Sequence, residues 1–217
     1  MNALPIAILG AGGFAREVAT IIRAINSKKP TYDLMGYIDN HLPKGTVING
    51  LPVIGTDSEI NNTSTPIGIV NAFGEPELKD KVYNKYTNSL ISFPTIIHPS
   101  VILEDIPNIR IGKGCILCAG CILTTNIELK DFVTLNLSCT VGHDVTIGSF
   151  SSFMPSCNIS GEVTIDEKVY CGTGAKIINQ ISIGKNTIIG AGAVVTHDIP
   201  ADCTAVGIPA KPIKYNK

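Results

Sequence analysis

The chain has 217 residues, 44% of them hydrophobic and 16% charged, with 21 glycines and 13 prolines, a size that suits two domains rather than one or three. Its 17 basic and 18 acidic residues leave a formal charge of −1 and form no basic run, which argues against nucleic acid as a partner. No apolar stretch approaches the roughly 18 residues of a transmembrane helix, no basic residue precedes the apolar run within Met1–Leu9 as a signal peptide would require, and seven cysteines do not suit a disulfide framework. The expectation is a cytoplasmic, reduced, two-part protein without membrane insertion.

From the N-terminus, Pro5–Leu9 is a short apolar run that ends at Gly10-Ala11-Gly12-Gly13-Phe14-Ala15, and Val18, Ile21, Ile22 and Ile25 follow at helical spacing. This predicts strand, glycine-rich turn and helix, with Gly10, Gly12 and Ala15 fitting G-x-G-x-x-[GA]. Further strands are expected at Leu34–Ile38 and Ile67–Val70, and a second helix from Pro76 to Tyr86 with Leu78, Val82 and Tyr86 on one face. The alternation implies a small parallel sheet of about three strands covered by helices, half of a full dinucleotide fold. The turn would expose N–H groups at a helix N-terminus, which suits a phosphate or a nucleotide. A plain packing turn is the alternative. An NAD site is the weakest reading, because Asp39 lies 27 residues beyond Gly12, further than the roughly 20 of the dinucleotide fingerprint.

The second half obeys a different rule. Stepping by six from Ile111 meets Leu117, Leu123, Leu129, Leu135, Val141, Ile147, Phe153, Ile159, Ile165, Cys171, Ile177, Ile183, Ile189 and Val195, every one apolar. The residue four after each anchor is small or β-branched almost throughout, and glycine often follows the anchor, as at Gly112, Gly142 and Gly172. A period of six fits neither the 3.6 of an α-helix nor the 2 of one long strand; it is a signature of a parallel β-helix. Each hexad then supplies a short strand and a turn. If the coil is triangular, residues 18 apart stack at the strand spacing of about 4.8 Å. Ile111, Leu129, Ile147, Ile165 and Ile183 form one column, and Leu123, Val141, Ile159, Ile177 and Val195 another. Ile97, Leu103 and Ile109 make an earlier partial coil, out of register by two, with Pro107–Arg110 taking up the shift.

The same arithmetic bears on the cysteines. Cys115-x-x-Cys118-x-x-Cys121 has the look of a metal motif, but consecutive hexads lie on different faces and no clustered histidine accompanies them. Cys121, Cys139 and Cys157 are 18 apart and should stack as small buried apolar side chains, with Ala175 and Ala193 continuing the column. No metal is expected.

The opening GAGGFAREV, the IIHPSV segment before the coil, LNLSCTVGHDVTIG within it and the closing Gly207-Ile208-Pro209-Ala210-Lys211 together resemble the bacterial sugar O-/N-acyltransferases of the hexapeptide-repeat class, over almost the whole chain. These include sialic-acid O-acetyltransferases and nucleotide-aminosugar N-acetyltransferases. The resemblance implies a Rossmann-like nucleotide-sugar-binding domain over 1–93, a left-handed β-helix acyltransferase domain over 94–200 and a tail over 201–217. It implies a homotrimer with active sites between neighbouring coils. The family's catalytic residues fall on His143, Asp144 and Asn136. Its nucleotide-sugar contacts fall on Gly12, Gly13, Phe14, Asp39, Asn40 and Gly74, and its acetyl-CoA contacts on Ser152, Gly161, Thr173 and Ala191. Some relatives carry a histidine where Ser152 stands, and often a second acidic residue where Asn40 stands. Lys211, like Lys214, is either a CoA phosphate ligand or an ordinary tail charge. Asp39 could equally solvate a strand end.

The chemistry agrees with that mapping. An amine that attacks a thioester must lose a proton, and an imidazole, with an ordinary pKa of about 6.5, suits its removal. Asp144 could hold the other ring nitrogen, and an N–H near Gly161, one coil beyond, could meet the thioester oxyanion. His41, His98 and His197 read as structural or exposed. The expected activity is acetyl transfer from acetyl-CoA to the amine of a UDP-, dTDP- or GDP-linked 4-amino-4,6-dideoxy sugar, for O-antigen, capsule or other surface-glycan synthesis. Sugar O-acetylation is the nearest alternative, since the same base serves a hydroxyl, and a non-catalytic nucleotide-binding β-helix is the alternative from another class.

Overall fold

The computed structural model describes residues 3–215, so the first two residues of the N-terminal run and the last two of the expected tail lie outside the described residues. The chain divides into two compact units, with the boundary between Pro99 and Ser100.

The first unit is an α/β sandwich on a mainly parallel sheet. Its elements are β1 (Leu4–Leu9), α1 (Gly13–Lys28), β2 (Tyr32–Ile38), β3 (Val47–Ile48), β4 (Leu51–Gly55), α2 (Asp57–Asn61), β5 (Ile67–Asn71), α3 (Pro76–Tyr83) and β6 (Ile91–Ser92). The strand order is β3-β4-β2-β1-β5-β6, and only β3 and β4 pair antiparallel. β1 sits between β2 and β5, which explains why Ile6, Ala7 and Ile8 are fully buried. α1 buries Ala15, Val18, Ala19, Ile21 and Ile22, the stripe its helical spacing predicts.

The sheet has six strands rather than about three. Two of the additional strands form a hairpin through Asn49-Gly50, with φ of 49° and 78°, the pair that a two-residue hairpin turn demands. Their shortness and half-exposed pattern hide them from a reading based on apolar periodicity. The helix expected over Pro76–Tyr86 is α3, and it stops at Tyr83, short of Tyr86. Lys85 and Tyr86 instead close tight turns on the carbonyls of Val82 and Tyr83, and the Tyr86 hydroxyl donates to Asp57 Oδ1 at 2.9 Å.

The second unit is a left-handed parallel β-helix of short strands. One face carries Ile109–Ile111, Ile127–Leu129, Thr146–Ile147, Thr164–Ile165 and Ser182–Ile183. The next carries Ile116–Leu117, Thr134–Leu135, Ser152–Phe153, Tyr170–Cys171 and Ile188–Ile189, and the third Ile122–Leu123, Thr140–Val141, Asn158–Ile159, Lys176–Ile177 and Val194–Val195. Both expected columns stack as written: Leu129 pairs Ile111 and Ile147, and Val141 pairs Leu123 and Ile159.

The turns add what the period alone does not contain. The third residue after the anchor is left-handed: Asn126, Phe132, Ser138, Asp144, Phe150, Ser156, Glu162, Lys168, Gln180 and Asn186 have φ between 53° and 63°. For an L-residue this costs about 1–2 kcal/mol, offset by the ladder bonds that the stacked coil makes on both sides. The small residue after it does more than save space. Cys115, Cys121, Cys139, Ser151 and Cys157 each donate to the carbonyl 15 residues on, at 3.0–3.3 Å. That bond ties the corner to the next coil, and at Asn136, Met154 and Gly172 it adds a second donor to a carbonyl that already takes the N–H of Cys139, Cys157 or Ala175.

The register slips where the regular hexads end. Leu103 pairs Leu123, 20 residues on, whereas Ile111 pairs Leu129, 18 on, so the two extra residues are taken up over 104–108, at the 3-10 turn Ile106–Asn108, which shares Pro107 and Asn108 with the expected segment but ends before Arg110. At the far end Ile189 pairs Ala205, 16 on, and the strand Cys203–Gly207 turns back into Ala210–Tyr215. Among the described residues no helix is long and apolar enough to cross a membrane.

Candidate active site

The turn after Val141 carries the reactive groups. Val141 and Val145 are buried, which leaves Gly142, His143 and Asp144 to form the corner between them. His143 and Asp144 are adjacent in sequence, and neighbouring side chains diverge in an extended backbone. The left-handed φ of 58° at Asp144 turns its carboxylate back, so that Oδ2 lies 2.8 Å from His143 Nδ1. Both side chains are about half exposed, at 56% and 50%. Hydrogen bonds from His143 and Asn126 hold the Asp144 carboxyl below its ordinary range. An ionised Asp144 accepts from Nδ1–H and leaves Nε2 with its lone pair, the form a base requires.

A second His-Asp pair tests this account. His197 and Asp198 stand three coils further along the same corner, after the anchor Val195. There the coil closes with 16 residues instead of 18, and Asp198 is not left-handed. Asp198 Oδ1 takes the Ser182 N–H at 2.7 Å, and His197 Nδ1 faces Thr196 Oγ1 at 2.9 Å. The same dipeptide without the same backbone makes no dyad.

Gly161 lies one coil beyond His143. A Cβ there would come within 2.4 Å of the ring's Cε1 and Nε2, so the imidazole rests directly on glycine backbone. The coil is anchored at this point, because Glu162 N–H donates to the His143 carbonyl at 2.8 Å.

The other expected site residues of the coil lie elsewhere. Asn136 is buried on the corner immediately before that of His143, its Oδ1 accepting the Leu137 N–H at 2.7 Å, and it does not meet His143 within the chain. Thr173 and Ala191 stack exposed on that same corner. Ser152 lies on the strand leading to it, fully buried, and its Oγ has no partner. Lys211 is exposed on the strand Ala210–Tyr215. Among the described residues no group of three or more His, Cys, Asp or Glu is placed to hold a metal.

In the first unit the expected residues gather at one edge, the C-terminal ends of β1, β2 and β5, where the strand order reverses and open α/β sheets bind ligands. Gly12 caps α1 without a side-chain bond, and no acidic residue sits in the helix's first turn. A Cβ at Gly12 would meet nothing within 4 Å. Asp39 closes the edge: Oδ2 accepts from Ala11 N–H at 3.2 Å, and Oδ1 from His41 and Leu42 N–H at 2.8 and 3.1 Å. Gly74 follows Phe73, whose ring borders Gly10.

Asn40 is held by a partner the sequence reading missed. Its Nδ2 donates to Asp57 Oδ2 at 2.8 Å, and its Oδ1 accepts from the Asp57 N–H at 2.9 Å. Burial pushes the Asp57 carboxyl up, but bonds from Asn40, Tyr86 and Lys85 outweigh it and hold the carboxyl below its ordinary value. The cluster borders a polar cavity of about 400 Å³, lined by Asn40, Asp57, Ser58, Asn61 and Lys85. No local motif announces it, since Asn40, Asp57 and Tyr86 are brought together only by the sheet. Asn126, by contrast, stands 18 residues before Asp144, and the column arithmetic places it.

Residues 5–86 match the family described as the PglD N-terminal domain. No curated protein matches the chain. Among solved structures, the acetyltransferase domain of PglB from Neisseria gonorrhoeae is 32% identical, with 96% of this chain and 99% of that one covered at a TM-score of 0.87. PerB from Caulobacter crescentus, in complex with CoA and GDP-perosamine, is 28% identical, with 97% of each chain covered at a TM-score of 0.87. WeeI from Acinetobacter baumannii is 29% identical, with 97% of this chain and all of that one covered, also at 0.87. At such identity over nearly its whole length, the chain belongs to the bacterial sugar acyltransferases of the hexapeptide-repeat class.

Proposed function

We propose that the chain is an acetyl-CoA-dependent N-acetyltransferase that acts on a nucleotide-linked 4-amino-4,6-dideoxy sugar in surface polysaccharide or glycan synthesis. The observation that carries the reading is the His143–Asp144 dyad, an exposed base whose tautomer is set by a carboxylate 2.8 Å away. Its support among similar proteins is that PerB holds CoA and GDP-perosamine and the PglB domain holds acetyl coenzyme A.

In this reading His143 Nε2 takes the proton from the sugar's amine as its nitrogen attacks the thioester carbon. Asp144 stabilises the imidazolium that results. The Gly161 N–H, which takes no part in the coil's backbone ladder, faces the developing oxyanion. The C–N bond forms, the C–S bond breaks, and the imidazolium returns its proton to the departing sulfur. No covalent enzyme intermediate is needed, in keeping with the burial of all seven cysteines. Gly12, Gly13, Phe14 and Asp39 hold the nucleotide at the uncapped start of α1, with Asn40 and Gly74 beside them. Thr173, Ala191 and Lys211, all exposed, serve CoA, whereas Ser152 is fully buried and does not reach it. Asn136, remote from His143 in its own chain, completes the site from the neighbouring subunit of a homotrimer. The enzyme works in the cytoplasm, where acetyl-CoA and free thiols coexist.

The test is a panel of UDP-, dTDP- and GDP-linked amino sugars incubated with acetyl-CoA, with mass spectrometry for the acetylated product. One 4-amino sugar should be converted by the native chain. His143→Ala should lower kcat by about 10²–10⁴-fold with KM for acetyl-CoA little changed. Turnover close to native in that variant would refute His143 as the base.

A further inference from the structure

We infer that Asn126 is a positioning residue for acetyl transfer: from one coil below, it clamps one oxygen of Asp144 so that the other is turned onto His143 Nδ1, leaving Nε2 unprotonated. The inference rests on the reading of His143 as the base.

Asn126 occupies the same left-handed turn position as Asp144, with φ of 53° against 58°, so the two side chains leave the coil in the same direction, one above the other. Its Nδ2 donates to Asp144 Oδ1 at 3.0 Å, while Asp144 Oδ2 faces His143 Nδ1 at 2.8 Å. A carboxylate at a half-exposed turn rotates freely about its last bond. A partner on each oxygen removes that freedom. The clamp is a neutral amide, so it orders the carboxylate without adding a charge that would raise or oppose the imidazolium. One coil on, Gln180 Nε2 donates to Glu162 Oε2 at 3.0 Å, so an amide stacked on a carboxylate recurs along this corner. There Gly161 stands where His143 stands in the coil below, and no imidazole is present to be oriented.

The charged groups facing the dyad are few. Above it is Glu162, bonded to Gln180, and below it Asp105, bonded to Thr125 and Asn108. Thr125 contributes its carbonyl, which accepts the Asp144 N–H at 3.2 Å. Hydrogen bonds from His143 and Asn126 are the causes that hold the Asp144 carboxyl low, which agrees with a clamp from both sides.

The experiment compares two variants of the full-length protein. Asn126→Gly removes the amide and tolerates the left-handed backbone, which alanine would strain. Asn126→Asp keeps the size and adds a charge. In ¹⁵N spectra of the histidine rings above the imidazole titration, with His143→Ala identifying the signal, the native His143 should be in the Nδ1–H form. Asn126→Gly should move it toward the Nε2–H form and lower kcat by about tenfold, a fraction of what a lost base costs, with KM for acetyl-CoA and the melting temperature unchanged. Asn126→Asp should carry the acid limb of the kcat/KM profile to higher pH, because a second carboxylate favours the imidazolium. An unchanged tautomer in Asn126→Gly would overturn the inference, whether kcat held or fell with the melting temperature. The spectra are read without substrate. Persistent turnover in His143→Ala would therefore remove His143 as the base while leaving the tautomer result to stand or fall separately.

Discussion

Gly161 and His143 illustrate how a functional contact is set by what a residue lacks. The ring lies where a Cβ at position 161 would stand, within 2.4 Å, yet the atoms met belong to the movable end of a side chain rather than to backbone. Gly161→Ala should therefore fold and melt like the native protein while swinging the imidazole away from Asp144. We expect activity to fall by about 10²-fold, the scale of a misplaced catalytic group. Retained activity in a folded Gly161→Ala protein would show that the ring's place on the glycine is incidental. Sequence alone names His143, Asp144 and Gly161, because the eighteen-residue spacing and the resemblance point to them. It does not say that Asp144 turns back onto its neighbour while Asp198 turns away from His197, since that depends on whether the local coil has 18 residues or 16.

At the scale of elements, the hexad fixes the strands and the corners supply the chemistry. The Cys121, Cys139 and Cys157 column is fully buried, each thiol donating to a carbonyl of the next coil. Its neighbouring thiols and its burial push Cys139 well above an ordinary thiol. These cysteines should resist a bulky thiol reagent in the native protein and react on unfolding. Rapid native-state labelling of all three, with circular dichroism unchanged, would contradict the stack.

In the first unit, the link among α2, β2 and the end of α3 runs through Asp57, whose carboxyl is held below its ordinary value. A lowered folded pKa contributes stability above the unfolded value of about 4 and loses it as pH falls through the folded value. Asp57→Asn should therefore lower the first unit's stability at pH 7 and flatten its dependence on pH below about 4, as read by denaturant titration across that range. An unchanged acid limb would mean that the carboxylate carries no such linkage. Nothing in the local sequence signals this cluster, because Asn40, Asp57 and Tyr86 belong to three separate segments joined by the sheet.

For the molecule as a whole, the division of labour between the units is open to a direct test. Gly12 has room for a side chain and an ordinary φ of −72°, so Gly12→Val should fold normally. If the glycine turn holds the nucleotide, the variant should raise KM for the nucleotide sugar about tenfold or more, about 1.4 kcal/mol of lost binding, with KM for acetyl-CoA unchanged. Equal KM values for the sugar in both proteins would remove the turn from the acceptor site.

The regular part of this architecture is readable before any coordinates. An apolar repeat of fifteen anchors leaves one way to bury them, a coil, and the strand, glycine turn and helix at the N-terminus have equally local signatures. What only the tertiary structure decides is non-local or conformational. The hairpin has a local signature in Asn49-Gly50, but its place at the edge of the sheet, like that of the other short edge strand, comes from its neighbours and not from apolar period. The register shift falls over 104–108 because the 3-10 turn absorbs two residues there. The dyad itself exists because a left-handed turn, repeated along the regular 18-residue coils, brings an aspartate back onto the histidine before it and beneath it places an asparagine to hold it there.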